Sequence, residues 1–344
     1  MSSTLSVVVP HYNHGRYVAG CLQALLGQSR PLDELIIVDD ASTDGSMPIL
    51  ESFARDPRVR IVRHERNQGC ACSLADGLAL CRGDYVFMPA ADDFVLPHFF
   101  AKSMAALAAH PEAGISCTLA GIAAEDGRDL GLYRTPVVRD RPSYLPPREF
   151  FAEYRKHGPW VTSTSVIFRR SAMLEAGGCP TDLGPTVDGY LVNALGARHG
   201  ACFLPEKLVM WRRLETSMGY TYSRNAHQAV DLIEKLDARL AALRPPAVPP
   251  EHRALIKRAG LNNVLDTLAR RQPFPGDEAR WVTSLIRGPG LALRLYKLAL
   301  ALGGGWAATK LYVFSLLPLR EQARIIVGKV LKPCPVAASP RPRI

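Results

Sequence analysis

The sequence predicts an α/β fold, a mostly parallel central sheet flanked by helices, extended by a helical C-terminal region. Three observations carry that expectation. Strand-like and helix-like patterns alternate from Leu5 to Ala109, the pattern of βαβ units. Each short β-branched run ends in a polar turn: Ser6-Val7-Val8-Val9-Pro10 in His11-Tyr12-Asn13-His14-Gly15, Leu35-Ile36-Ile37-Val38 in Asp39-Asp40-Ala41-Ser42-Thr43-Asp44-Gly45, and Tyr85-Val86-Phe87-Met88 in Pro89-Ala90-Ala91-Asp92-Asp93. Beyond about Asn225 the patterns are helical. Buried parallel strands deliver side chains to a ligand at their carboxyl ends. Acidic groups gathered at that edge suit a metal-bound diphosphate and a nucleoside better than a bare anion.

In order, strands are expected at Leu5–Pro10, Glu34–Asp39, Arg60–Arg63 and Tyr85–Met88. Helices are expected at Tyr17–Leu26, Met47–Ala54, Cys70–Leu80 and Pro97–Ala109, with Gly27, Pro57 and Gly83 as stops. Ile115–Tyr133 reads as a hairpin about Glu125-Asp126-Gly127. The Pro- and Arg-rich stretch 134–147 reads as loop. A short helix over Arg148–Tyr154, a strand over Thr162–Phe168 and a helix from Ser171 to the Gly177-Gly178 stop follow. A loop over Cys179–Thr186 then leads to a helix at Val187–Arg198, and Arg244–Pro250 reads as a linker between later helices.

A chain of 344 residues exceeds the ~100–200 of a usual domain. One large α/β domain over residues 1–223 with an appended region over 224–344 is the natural division. The 47% hydrophobic content is ample for a packed core. Met1-Ser2-Ser3-Thr4 lacks the basic start of a secretory signal, and the eight cysteines have no zinc spacing, which together predict a cytoplasmic chain with reduced thiols. Charge is uneven: residues 224–344 hold 20 Lys and Arg against 8 Asp and Glu, while residues 1–223 hold 22 against 24. A basic region of this kind suits anionic lipid headgroups, at ~1 kcal/mol per well-placed cation. Nucleic acid is disfavoured, because the tail offers helices and no aromatics interleaved in a groove. Within Gly290–Pro318 the apolar run is interrupted by Arg294, Lys297, Gly303-Gly304-Gly305 and Lys310. An in-plane amphipathic pair on the inner face of the plasma membrane, with Tyr296, Trp306 and Tyr312 at headgroup level, is expected there. Packing of these helices on protein is the open alternative.

The order Pro-x-Tyr-Asn, Val-Asp-Asp-x-Ser-x-Asp-Gly-Ser, Asn-x-Gly and x-x-Asp-Asp-x-x-x-Pro resembles the family 2 glycosyltransferases of GT-A fold, from about Ser3 to about Gly219. The resemblance implies an inverting transferase, of hexosyl or N-acetylhexosaminyl type, using a nucleotide-sugar donor, a UDP-sugar above all. The implied acceptor is a glycan or polyprenyl-linked saccharide of surface polysaccharide synthesis. Pro10 and Tyr12 would wall the base and Asn13 shape the turn. Asp40, acceptor only, would take the imide N–H of uracil or thymine. Asn67 and Gly69 would bring a helix start near the nucleotide, whereas Asp76 follows Leu74-Ala75 where the family often has Arg-Asn.

In the same resemblance Asp92 contacts the metal, Mg²⁺ or Mn²⁺, with Asp93 beside it, while Ala90 replaces the first Asp of the D-x-D motif. Asp188, opening the helix that runs to Arg198-His199-Gly200, matches the general base, with Asp182 as a rival. Its helix N-terminus should hold it ionised. Trp211-Arg212-Arg213 and Thr216-Ser217-Met218 match a closing segment whose arginine meets the donor phosphates, with Leu214 where the family often has His. Two further readings stay open. A catalytically silent GT-A protein binding nucleotide sugar or partner transferases is favoured by Ala90 and Leu214. A sugar nucleotidyltransferase is disfavoured, because the turn after the first strand has no lysine.

Overall fold

The computed structural model describes residues 3–133, 135–214, 225–244, 248–269, 275–286, 296, 309 and 311–312. The early elements, apart from the short β5, fall where the periodicity puts them. They are β1 (Leu5–His11), α1 (Gly15–Leu26), β2 (Glu34–Asp39), α2 (Met47–Phe53), β3 (Val59–Arg63), α3 (Cys70–Leu80), β4 (Tyr85–Phe87), β5 (Phe94–Val95) and α4 (Phe99–Ala109). Next come β6 (Ile115–Ala123), β7 (Asp129–Leu132), β8 (Ser143–Leu145), α5 (Pro147–His157), β9 (Val166–Arg169), α6 (Arg170–Glu175), α7 (Val187–His199) and β10 (Ala201–Arg212). Helices Ala226–Ala241, Pro250–Leu268 and Gly276–Leu285 follow.

The ten strands form one sheet in the order β3-β2-β1-β4-β9-β6-β10-β5, with β7 on β6 and β8 on β10. β3, β2, β1 and β4 are mutually parallel, as βαβ units require. β9 enters antiparallel between β4 and β6, so the second half of the sheet is mixed. The period-2 alternation of β1 sorts the core. Leu5, Val7 and Val9 join the layer under α1 and α4, with Leu22, Phe99 and Phe100. Val8 joins the opposite layer with Leu74 and Leu78 of α3 and Leu191 of α7.

Three local expectations are corrected. Thr162–Phe168 is not one strand: Ser163–Ser165 is a 3₁₀ turn before β9, closed by the Ser165 amide and hydroxyl, both donating to the Thr162 carbonyl. The loop over Cys179–Thr186 contains a 3₁₀ turn at Thr181–Thr186, and the stretch 134–147 contains β8. Strand β10 escaped the pattern because Pro205 and Glu206 interrupt it. They occupy a bulge: Leu204 faces Thr118 of β6 and Lys207 faces the next residue, Leu119. Bulges are where proline, lacking a donor, is tolerated in a sheet.

The first compact unit is Met1–Gly260 and the second Leu261–Ile344. The first runs past the compositional change at 223/224 because Leu236, Leu240, Val248 and Ile256 complete the core layer of α5 and α7. In the second, Tyr296 and Tyr312 stack at 4.4 Å between ring centroids and are buried. That burial corrects their expected place at a headgroup level. Tyr296 Oη also pairs with Thr309 Oγ1, so both rings are committed to protein. Trp306 and most of Gly290–Pro318 lie outside the described residues. Among the described residues, no helix is long and apolar enough to cross a membrane.

The closeness of α3 to β1 depends on Gly77, where an added Cβ would lie 2.2 Å from Val8 Cγ1. Gly77→Ala should therefore lower stability by about 1–3 kcal/mol through overpacking. Gly20→Ala, exposed on α1 with nothing within 4 Å of the new methyl, should raise it by up to about 1 kcal/mol. Urea denaturation of the two variants checks both signs.

Candidate functional site

The turns after β1, β2 and β4, three neighbouring parallel strands, stand side by side at one edge of the sheet. The first two are sewn together. His11 Nδ1 lies 2.9 Å from Asp39 Oδ1 and 3.1 Å from Ser42 Oγ, all buried. Asn13 takes a left-handed backbone (φ 54), which Asn tolerates. Its amide donates to Ser42 Oγ, and its side-chain oxygen accepts from the Thr43 amide at 2.8 Å. Asn13 thus latches one loop to the next. Tyr12 is 44% exposed and Pro10 half-buried beside it, an aromatic face open to solvent.

Asp40 is engaged by protein donors. Its carboxylate accepts from the Gln68 amide at 2.8 Å, the Gly69 amide at 2.7 Å and His64 Nδ1 at 2.8 Å. A carboxylate offers about four acceptor sites, and three are spent on holding the start of α3. Gly69 supplies the φ of +91 that this turn needs, and Asn67 Oδ1 also accepts its amide. His64, which no sequence pattern marked, bridges Asp40 to Asp76 Oδ2 at 3.1 Å.

The third turn carries the acidic pair. Asp93 is buried; its Oδ2 accepts from Thr164 Oγ1 at 2.6 Å and its Oδ1 from the Arg212 amide at 2.8 Å. Burial and then the charge of Asp92 push its carboxyl up to about 7. Asp92 is also raised, chiefly by burial, with His14 pulling the other way. Its Oδ1 lies 3.8 Å from His14 Nδ1.

The Arg212 side chain is tied to backbone carbonyls of two turns. Its Nε donates to the Asp92 carbonyl at 2.9 Å and its Nη1 to the Glu125 carbonyl at 2.5 Å. The guanidinium lies over the rings of Tyr17 and Phe94 at 5.1 and 5.4 Å. It is a strut between the β4–β5 turn and the β6–β7 hairpin, and the exposed arginine beside it is Arg213. Leu214 is buried, and residues 216–218 of the expected closing segment lie outside the described residues.

Asp188 stands in the first turn of α7, half-buried, with its Oδ1 accepting the Gly189 amide at 2.6 Å. Burial raises its carboxyl, and hydrogen bonds from Ser163 and Gly189 only partly offset that. The helix N-terminus therefore does not hold it at an ordinary acidity: desolvation wins. Asp182, the rival, is bound by Arg239 Nη2 at 2.9 Å and Nε at 3.3 Å. The half-buried thiol of Cys70, the first residue of α3, is pushed up to about 12, by burial above all and then by the charges of Asp188, Asp40 and Asp92.

The family model described as Glycosyl transferase family 2 matches residues 6–175, which contain all three turns and the acidic pair. These residues form a family 2 glycosyltransferase domain. A glycosyltransferase of Streptococcus pneumoniae, GlyG, is 40% identical over 96 residues, 28% of this chain and 32% of that protein. The putative teichuronic acid biosynthesis glycosyltransferase TuaG of Bacillus subtilis is 39% identical over 90 residues, 26% of this chain and 36% of that protein. The chain thus spans about a third of the length of these relatives. S. aureus TarS 1–349 in complex with UDP-GlcNAc matches with a TM-score of 0.62 at 15% identity, over 94% of this chain and 92% of that one. A Pyrobaculum calidifontis mannosyltransferase in complex with GDP-Man and Mn²⁺ matches with a TM-score of 0.52 at 21% identity, over 90% and 87%. At these identities the likeness is one of fold, and the fold is GT-A.

The hydrogen bonds of Asp40 yield a discriminating test. Asp40→Asn loses acceptor capacity and turns an amide NH₂ toward donors, at about 2–4 kcal/mol for two charge-assisted bonds. Urea denaturation should show that loss without ligand. Unchanged stability with loss of nucleotide affinity alone would instead return Asp40 to base recognition.

Proposed function

We propose that the chain is an inverting glycosyltransferase that moves a sugar from a nucleotide-sugar donor, a UDP-sugar above all, to a glycan or lipid-linked saccharide in surface polysaccharide synthesis. The observation that carries this reading is the pairing, across one 3₁₀ turn, of the acidic pair with Asp188: Thr164 bonds Asp93 and its neighbour Ser163 bonds Asp188. Support for the donor class comes from the UDP-GlcNAc in the TarS complex, and for the pathway from the name of the teichuronic acid relative.

In this mechanism Asp188 takes the proton of the acceptor hydroxyl as that oxygen attacks the anomeric carbon. A carboxylate raised by burial is the better proton acceptor for it. The anomeric carbon's bond to the diphosphate oxygen breaks, and the nucleoside diphosphate leaves with the electron pair. Tyr12, exposed beside Pro10, offers its ring to the base, and Asn13, Asn67 and Gly69 fix the loops around it. Arg212 acts by holding the turn of Asp92 and Asp93, and Asp93 by holding Thr164 and β10.

A divalent ion, Mg²⁺ or Mn²⁺, fits this donor set as a largely hydrated ion on Asp92, since Asp93 is spent and, among the described residues, no three His, Cys, Asp or Glu side chains converge. When bound it would neutralise charge on the departing diphosphate. The transfer chemistry belongs to residues 1–223. The basic residues 224–344 would draw the enzyme to the cytoplasmic membrane face, where a polyprenyl-linked acceptor resides. A second reading, a silent nucleotide-sugar-binding protein, is favoured by Ala90 and by the burial of Leu214.

The test uses the full chain with labelled UDP-sugars, Mg²⁺ or Mn²⁺ and membrane extract. Label should enter the lipid fraction. Asp188→Asn should slow transfer by about 10²–10⁴ while leaving UDP affinity within about threefold. UDP-sugar binding with neither transfer nor hydrolysis, for every donor, would establish the silent reading.

A further inference from the structure

We infer that His14 supplies the second protein ligand of the metal site, replacing from the β1–α1 turn what Ala90 removed from the β4–β5 turn. The inference rests on the transferase reading above, because the ion it concerns is the one that accompanies a nucleoside diphosphate. β1 and β4 are paired in parallel, so their carboxyl-end turns bring His14 and Asp92 together at one edge. His14 Nδ1 and Asp92 Oδ1 stand 3.8 Å apart. Two ligands each about 2.1 Å from one ion are about 3.0 Å apart when adjacent in an octahedron and at most about 4.2 Å apart when opposite. The observed separation exceeds the adjacent-ligand distance by about 0.8 Å, so one ion can bridge the pair once the two side chains close by that amount.

The remaining side chains leave this assignment to His14. Asp93 is fully occupied by Thr164 and Arg212, and Ala90 contributes only its carbonyl, to the Asp93 amide and Cys21. Leu214 is apolar and buried. His14 sits at the N-cap position of α1 yet makes no side-chain capping bond, so its imidazole is not committed to the helix. It keeps 30% of its side-chain surface open, its ring edge set against Tyr17 at 6.3 Å. Tyr17 is itself fixed by its hydroxyl bond to Glu125 and by the Arg212 guanidinium. Two protein ligands leave the other positions to diphosphate oxygens and water. An imidazole in place of a carboxylate removes one negative charge and shifts preference from Mg²⁺, which demands oxygen, toward Mn²⁺.

The experiment titrates Mn²⁺ into the full chain with UDP present and follows the free-ion signal by electron paramagnetic resonance, with Mg²⁺ as competitor. His14→Ala should weaken Mn²⁺ binding at least tenfold. His14→Asp should restore binding and move the preference toward Mg²⁺. Asp188→Asn should change neither. Mn²⁺ affinity within twofold of wild type in His14→Ala would overturn the inference. So would equal loss in His14→Ala and His14→Asp, which would mark a structural role. UDP binding that needs no metal and falls in His14→Ala would make the imidazole a phosphate contact and overturn the assignment as well. A wild-type chain that binds no UDP under any condition would fail the transferase reading itself, and the inference with it.

Discussion

The buried carboxylate of Asp93 is the constraint on which the site depends. It belongs to the turn between β4 and β5, yet both of its hydrogen-bond donors come from the later, mixed half of the sheet. Thr164 precedes β9, and the Arg212 amide ends β10. A charge this far from water is costly unless bonded, and the cost shows in a carboxyl raised to about 7, by burial first and Asp92 second. The same two bonds that satisfy Asp93 therefore fix how the second half of the sheet meets the first. Arg212 then returns its guanidinium to the Asp92 carbonyl and the Glu125 turn, bracing the same loop from outside. Ser163, next to Thr164 in one 3₁₀ turn, hydrogen-bonds Asp188. Two consecutive hydroxyls thus set the spacing between the acidic pair and the carboxylate on the far side.

Counting donors sorts the acidic residues of this edge by what each is free to do. Asp39 is held by His11 and the Ser42 amide, Asp40 by three donors, and Asp44 by Gly15 and Ser46. Those three build the cradle. Asp92 and Asp188 are raised by burial, the condition in which a carboxylate gains most from a cation or a proton. The division follows strand position: the turns after β1 and β2 are tied to each other, while the turn after β4 must reach across the sheet.

What could be read from the sequence was what periodicity and turn chemistry encode. The bounds of α3 and β2 and the hairpin about Glu125 came from local pattern. What could not be read was set by distant partners. Nothing near His64 announces that it will sit between Asp40 and Asp76, and nothing near Thr164 announces Asp93. The run Thr162–Ser165 reads as a strand, but the Ser165 hydroxyl bonds back to the Thr162 carbonyl within a 3₁₀ turn. β10 hid for the opposite reason: Pro205 reads as a break, while in the sheet it is absorbed by a bulge without ending the pairing with β6. Arg212 was legible as important but not in its direction, since a motif gives a residue's position and the fold decides which carbonyls lie within reach.

The two departures from the family pattern, Ala90 and Leu214, have different physical weight. Leu214 is buried, so a polar group there would need a partner of its own or a ligand to offset its desolvation. Ala90 is exposed at the mouth of the turn, where losing a carboxylate removes charge and leaves the packing intact. The backbone duty of that position, accepting the Asp93 amide, survives in the alanine. The turn therefore keeps its shape with one acid fewer, and Asp92 keeps its place opposite His14.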